Sequence, residues 1–268
     1  MTFYFIFSKN NLLLQRQPNG TYTIPCSSSI PVKTHKWTDI MNVTPMDSGI
    51  EVKTLNIDNP NTIEVLDPIL KKDGYDFIGL RQSYYHIPLP LYLKAGKCQE
   101  LLYWNHTTQF CGICGAPMKL YSDISKKCTK CEKEIWPQLA TAIIVLVHRG
   151  DEILLVHAHN FKSNFYGLIA GFVETGETLE QAVQREVMEE TRITIKNIKY
   201  FGSQAWPYPC GLMVGYMAEY DSGDLYIQQS ELSHGAWFRY NNLPQIPEKL
   251  SIARKIIDKW LEGKTKKL

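Results

Sequence analysis

The sequence predicts a mixed α/β layer fold. Three observations carry it. Apolar strand-like runs such as ATAIIVLVHRGDEILLVHA, from Ala140 to Ala158, are split by a His148-Arg149-Gly150-Asp151 turn. A capped helix signature starts at Thr178, and a second amphipathic stretch lies near Leu250–Leu261, with Ile252, Ile256, Ile257 and Trp260 on one face. Strands in two separated groups with helices after them suit layers rather than a bundle.

The elements follow in order. MTFYFIFSKNN, at Met1–Asn11, reads as a first strand and lacks the basic start and small-residue cleavage site of a secretory leader. Residues 1–105 read as a divergent β-rich domain. Segments such as TFYFIF and NTIEVL are broken there by SSSIP, DNPN and HIPLPLY, and no motif can be assigned from chemistry alone. Residues 106–136 form a short cysteine module and residues 137–268 a third zone. Within that zone further strands are predicted near Ile198–Ser203 and Leu212–Tyr220. At 268 residues, 44% hydrophobic and 21% charged, the chain has the profile of a globular protein. A formal net charge of +2 points to neither a nucleic-acid nor a membrane partner on bulk electrostatics. No apolar run reaches the roughly 18–20 residues of a membrane helix.

The module holds Cys111-Gly-Ile-Cys114 and Cys128-Thr-Lys-Cys131, four of the chain's seven cysteines. Each Cys-x-x-Cys turn aims two sulfurs at one point, and two such turns supply the four thiolates of a closed, structural zinc site, one per chain. The competing reading is a set of buried or redox-active thiols. The pairs and the missing leader favour a reducing cytoplasm. Cys26, Cys98 and Cys210 are expected to be buried apolar groups.

The third zone contains GFVETGETLEQAVQREVMEETRI, Gly171–Ile193. Thr178 and Gln181 make a capping box that starts a helix. At about 100° per residue, Leu179, Ala182, Val183 and Val187 share one arc, and Glu186 and Glu190 fall inside it at roughly 340° and 20°. Glu189 lies at the edge of the arc, near 280°. A solvated charge run would put these acids opposite the apolar residues. Carboxylates turned inward must protonate or bind cations, and converging oxygens suit Mg²⁺.

The spacing Gly171-x5-Glu177-x7-Arg185-Glu186-Val187-x-Glu189-Glu190-x-x-Ile193 resembles the box of the Nudix hydrolases. The resemblance implies a Nudix α/β/α sandwich that cuts diphosphates of nucleosides linked to another moiety. Arg192 stands where the family has glycine, at a helix exit that is expected to be left-handed. Downstream, SQAWPYPCG at Ser203–Gly211 is similar to the SQPWPFPxS motif of the bacterial NADH pyrophosphatases, which also remove NAD caps from RNA. The order of parts, with a divergent domain, a zinc ribbon, the box and then this loop, matches that subfamily too.

The resemblance implies Mg²⁺ or Mn²⁺ on Glu186, Glu190, Glu231 and the carbonyl of Ala170. Glu189 becomes a further ligand or base, and Arg185 with Glu177 a brace. It implies substrate contacts from Trp136, Phe172, Gln204, Trp206, Pro207, Tyr208 and Ala253, and from Arg81, whose competing reading is a structural arginine. A homodimer is implied as well. The expected reaction is hydrolysis of NAD(H) to AMP and nicotinamide mononucleotide, with NAD-capped RNA as a related substrate. Two alternatives stay open: another dinucleotide such as ADP-ribose or a diadenosine polyphosphate, and a nucleotide-binding protein that does not cut.

Overall fold

In the computed structural model, which describes residues 1–36, 38–57, 70–159, 161 and 164–265, the chain divides into two compact units. One comprises Met1–Gln138 together with Pro207–Cys210, and the other Leu139–Trp206 with Gly211–Leu268.

The first unit is built on a mixed sheet. Its strands are β1 (Thr2–Ser8), β2 (Asn11–Arg16), β3 (Tyr22–Thr23), β4 (Cys26–Ser27), β5 (Ile40–Val43), β6 (Glu51–Asn56) and β7 (Tyr75–Gly79). β1 lies centrally, antiparallel to β2 and parallel to β6. That explains its unbroken apolar run, because a strand covered on both faces has no need to alternate. Phe5, Ile6 and Phe7 are all fully buried. NTIEVL lies outside the described residues.

Two helices follow: α1 (Leu80–Ser83) and the long α2 (Leu89–Thr107). The sequence reading missed α2, because HIPLPLY was expected to break the chain. Pro88 is instead the N-cap residue and Pro90 sits in the first turn. No intrahelical donor is needed there, so proline starts the helix rather than ending it. The ribbon completes this unit with β8 (Met118–Ser122), β9 (Ser125–Cys128) and β10 (Glu134–Ile135) in one small antiparallel sheet.

The second unit holds β11 (Ala140–Arg149), β12 (Glu152–Ala158), β13 (Ile169–Phe172), β14 (Thr194–Trp206), β15 (Gly211–Ser222) and β16 (Leu232–Arg239), with helices α3 (Leu179–Thr191) and α4 (Ile252–Thr265). β11 runs parallel to β15 and antiparallel to β12 and β13. Alternation along β11 makes two cores. Ile143, Val145 and Val147 pack with Ala182, Val183 and Val187 of α3. Ile144 and Leu146 pack with Ile252, Ile256, Ile257 and Trp260 of α4. The result is the α/β/α sandwich, with the helix faces read from periodicity as its two outer layers.

Arg192 closes α3 at φ 61° and ψ 11°, the left-handed exit. A Cβ there costs on the order of 1 kcal/mol. Arg192→Gly is therefore expected to stabilise the protein by about 1 kcal/mol, checked by the urea unfolding midpoint. An unchanged midpoint would show that the arginine side chain offsets the strain.

Candidate active site and metal centres

The acids owe their positions to α3. Thr178 accepts from the Gln181 N–H at 3.2 Å, and Gln181 accepts from the Thr178 N–H at 2.8 Å, so the helix starts where its capping box requires. From that start Glu186 and Glu190 fall on the buried face, only 9% and 4% exposed, whereas Glu189 is exposed. Glu190 Oε2 is buried with no hydrogen-bond partner among the described residues. Burial, then the charges of Glu186, Glu231 and Glu189, push Glu190 up to about 8. Burial likewise raises Glu186, opposed by its bond to Arg185. A buried carboxylate oxygen with no donor, beside other acids, fits a hard divalent cation.

Arg185 organises the approach to these acids. Its guanidinium forks onto Glu177, Nε to Oε1 at 2.6 Å and Nη2 to Oε2 at 3.0 Å. Nη2 also donates to the Phe172 carbonyl at 2.9 Å, and Nη1 to Glu186 at 2.9 Å and Glu189 at 3.1 Å. One planar cation thus ties the loop before α3, the end of β13 and two acids of the helix together, a task its fork geometry suits better than lysine's point charge. Arg185 and the Glu174 N–H hold Glu177 below the usual carboxylate range.

Gly171 on β13 faces Glu186, and a Cβ built on it would overlap the Glu186 carboxylate. Ala170, beside it, is exposed and pairs with Ile144 of β11. Glu231 stands in the turn before β16 and is exposed. Its charge reaches both buried glutamates. Among the described residues, no three of these acids bring an oxygen each within 4.8 Å of one another; the cysteine group does.

The predicted substrate residues fall in both units. Phe172 ends β13 and is 65% exposed, a free aromatic face in the second unit. Gln204 donates to the Leu250 carbonyl at 3.0 Å and keeps a buried Oε1 with no partner among the described residues. Trp206 ends β14, half-buried. A Cβ on Gly211 would meet the Trp206 carbonyl at 3.0 Å, so the position is held small. Ala253 is buried in the α4 core.

In the first unit Trp136 is half exposed after β10. Pro207 is buried against Gly96 of α2. The Tyr208 hydroxyl meets that of Tyr92 at 3.0 Å. Arg81 is exposed on α1, close enough to act electrostatically on both phenols. Local sequence carried no signal for Tyr92, which sits in the helix that was missed.

The four cysteines of the ribbon converge, with all four Sγ atoms within 4.8 Å of one another. Cys111 to Cys131 is 3.6 Å and Cys114 to Cys128 is 3.5 Å. Bonds of about 2.3 Å to a tetrahedral ion would place sulfurs about 3.8 Å apart, whereas a disulfide needs about 2.05 Å. The group is therefore built to hold a metal ion. Backbone N–H groups of Lys130 and Cys131 point at Cys128 Sγ, each at 3.4 Å, and hold that thiol down at about 6. Lys126, buried in β9, donates to the carbonyls of Asn105 at 2.7 Å and Thr108 at 3.1 Å, which seats the ribbon on the carboxyl end of α2. Of the other cysteines only Cys98 is fully buried; Cys26 and Cys210 are half-buried, because they lie at an edge strand and a loop tip.

Residues 137–260 match the NUDIX domain family. The NAD-capped RNA hydrolase NudC of Pectobacterium atrosepticum is 44% identical over 169 residues, covering 63% of this chain and 65% of that protein. The protein of the same name from Salmonella schwarzengrund is also 44% identical over 169 residues, covering 63% and 66%. The chain thus matches about 65% of the length of these curated relatives. Among solved structures, a NUDIX hydrolase from Nitrosomonas europaea superposes with a TM-score of 0.51 at 19% identity, over 59% of this chain and 93% of the other, a likeness of fold. Nudix hydrolases depend on divalent metals, and the buried acids of α3 provide oxygen donors of that kind. Residues 137–260 of this chain are therefore the part similar to the NUDIX domain.

Proposed function

We propose that the chain hydrolyses the pyrophosphate bond of NAD(H), releasing AMP and nicotinamide mononucleotide, and that the NAD cap of RNA is a second substrate of the same site. The observation that carries this reading is Glu190, a buried carboxylate with an orphaned oxygen next to Glu186 and within electrostatic reach of Glu231. The likeness to proteins named NAD-capped RNA hydrolase supports the choice of dinucleotide.

In this reading Glu186, Glu190, Glu231 and the Ala170 carbonyl hold Mg²⁺ or Mn²⁺. Such ions lower the pKa of bound water and offset charge on phosphate oxygens. Water adds to one phosphorus, the bridging P–O bond breaks, and the second phosphate leaves with the bridging oxygen. Glu189, exposed and tethered to Arg185, would accept the proton from the water. Arg185 and Glu177 keep the acids in register. Phe172 and Trp206 offer flat faces to a base or nicotinamide, and Gln204 Oε1 accepts from an amide or exocyclic amine. The resemblance also assigns substrate contacts to Trp136, Pro207, Tyr208 and Arg81 of the first unit and to Ala253 of the second.

The proposal extends to a divergent domain at 1–105, a ribbon at 106–136 and a catalytic domain at 137–268, working in the cytoplasm as a homodimer. Among the described residues, no helix is long and apolar enough to cross a membrane.

The decisive experiment compares NADH, NAD⁺, NAD-capped RNA, ADP-ribose and a diadenosine polyphosphate side by side with and without Mg²⁺ or Mn²⁺. AMP plus the mononucleotide, at the highest kcat/KM from NAD(H) or the capped RNA, is the expected result. Metal-dependent cleavage favouring ADP-ribose would move the assignment to another dinucleotide, and no cleavage of any substrate would remove it.

The ribbon ion is proposed to be zinc, one per chain. Cys128→Ser is expected to abolish stoichiometric zinc and to unfold the ribbon, since metal binding in such modules is itself folding free energy, on the order of 10 kcal/mol. Loss of hydrogen-exchange protection in β8–β10, with β11 still protected, is the check.

A further inference from the structure

We infer that His159 is a positioning residue for the metal-binding role of Glu231, an inference that rests on the reading of Glu231 as a ligand. Glu231 belongs to no helix or strand, so something must fix its main chain relative to α3. Two backbone bonds lay the preceding segment along the end of that helix: the Tyr226 N–H donates to the Thr191 carbonyl at 3.0 Å, and the Gln228 N–H to the Glu190 carbonyl at 2.9 Å. Glu190 thus contributes its carboxylate to the acid cluster and its carbonyl to the seating of the Glu231 segment. These bonds stop at Gln228, three residues short of the acid.

His159 closes that gap. It follows β12, where the ladder with β16 shifts register between His157 and Ala158 and ends on the Ala158–Leu232 pair, at the edge of the turn. Beyond the irregularity, the His159 N–H donates to the Glu231 carbonyl at 3.0 Å. Its ring Nε2 lies 3.0 Å from the Gln229 carbonyl. A carbonyl only accepts, so the ring carries its proton on Nε2. One residue therefore clasps the turn on both sides of Ser230. Any residue other than proline supplies the first bond, whereas the second needs a side-chain donor of this reach. Without the ring, the main-chain bonds at both ends of the turn remain, with the Leu232 N–H donating to the Gln228 carbonyl at 3.1 Å, but the tip at Gln229 loses its clasp, and the carboxylate must be ordered more fully when the ion binds, at a cost in affinity.

The test titrates Mn²⁺ alone into zinc-loaded protein and follows free Mn²⁺ by its electron paramagnetic resonance signal. His159→Ala is expected to weaken Mn²⁺ binding by about 5- to 10-fold, at or just below the lower end of the roughly 10- to 100-fold range of groups that orient metal ligands. The metal-free melting temperature should stay the same. His159→Gln, whose amide N–H₂ reaches a similar point, is expected to restore most of the affinity. Glu231→Gln should weaken binding further, and adding His159→Ala to it should cost nothing more, because residues acting through one another are not additive. Unchanged Mn²⁺ affinity in His159→Ala, or additive losses in the double variant, overturns the inference while leaving Glu231 a ligand. Unchanged affinity in Glu231→Gln removes the reading of Glu231 itself, and the role of His159 with it.

Discussion

Glu190→Gln is expected to lower NADH turnover by more than about 100-fold, beyond the usual loss when a group that merely orients a ligand is removed, and to leave the fold intact. The amide keeps the shape of the side chain but supplies no charge to a cation. A second readout has the opposite sign. In the metal-free protein Glu190 titrates at about 8, against 4.5 for the free side chain, so the folded state favours the protonated form. Stability from this group is fully present below about pH 4.5 and is lost as pH rises through about 8. Glutamine never ionises and loses nothing over that window. In Mg²⁺-free buffer the variant should therefore be more stable than the parent above pH 8, by on the order of a few kcal/mol, and the two should converge near pH 4.5. Saturating Mg²⁺ should lift the parent alone. Urea midpoints at acid and alkaline pH, with kcat/KM beside them, check both halves. Parent-like activity, or no alkaline gain, would contradict the placement of Glu190.

Gly171→Ala should be nearly as damaging, for a steric reason. A methyl on this strand position occupies the space of the Glu186 carboxylate. Glu186 cannot swing freely aside, because Arg185 holds Oε1 at 2.9 Å and the adjacent Val187 is fully buried. Either the carboxylate leaves the site or β13 parts from its pairing with Ile143. Overpacking of this kind costs roughly 1–3 kcal/mol in stability, but misplacing a ligand should cost more than about 100-fold in kcat/KM. Gly263→Ala is the matched control. No atom comes within 4 Å of its added Cβ, so activity should be unchanged. Parent-like activity in Gly171→Ala would show that the carboxylate of Glu186 is dispensable.

The parts of this architecture that could be read from the sequence are those governed by local periodicity. The capping box placed the start of α3, and counting from it turned Glu186 and Glu190 inward, as the structure has them, whereas Glu189, expected at the edge of the apolar arc, is exposed. The ribbon was visible because two short turns fix four sulfurs by spacing alone. The α4 face was visible for the same reason as α3. By contrast, α2 buries Tyr92, Ala95, Cys98, Leu101, Leu102 and Trp104 while exposing Leu89 and Leu93, so no clean polar face betrays a helix, and its prolines pointed to a break. His159 was invisible for a different reason. Its bonds reach residues 70 and 72 positions away, and no spacing rule encodes them.

Pro207–Cys210 belongs to the first unit although it lies far along the chain, with Pro207 against Gly96 and Tyr208 bonded to Tyr92. On the ribosome, the surface of α2 around Tyr92 and Gly96 must therefore wait, bare, for more than a hundred further residues to emerge. Maturation of the amino-terminal half is thereby tied to synthesis of more than half of residues 137–260, and a chain stalled before residue 207 would leave that notch open to chaperones and proteases.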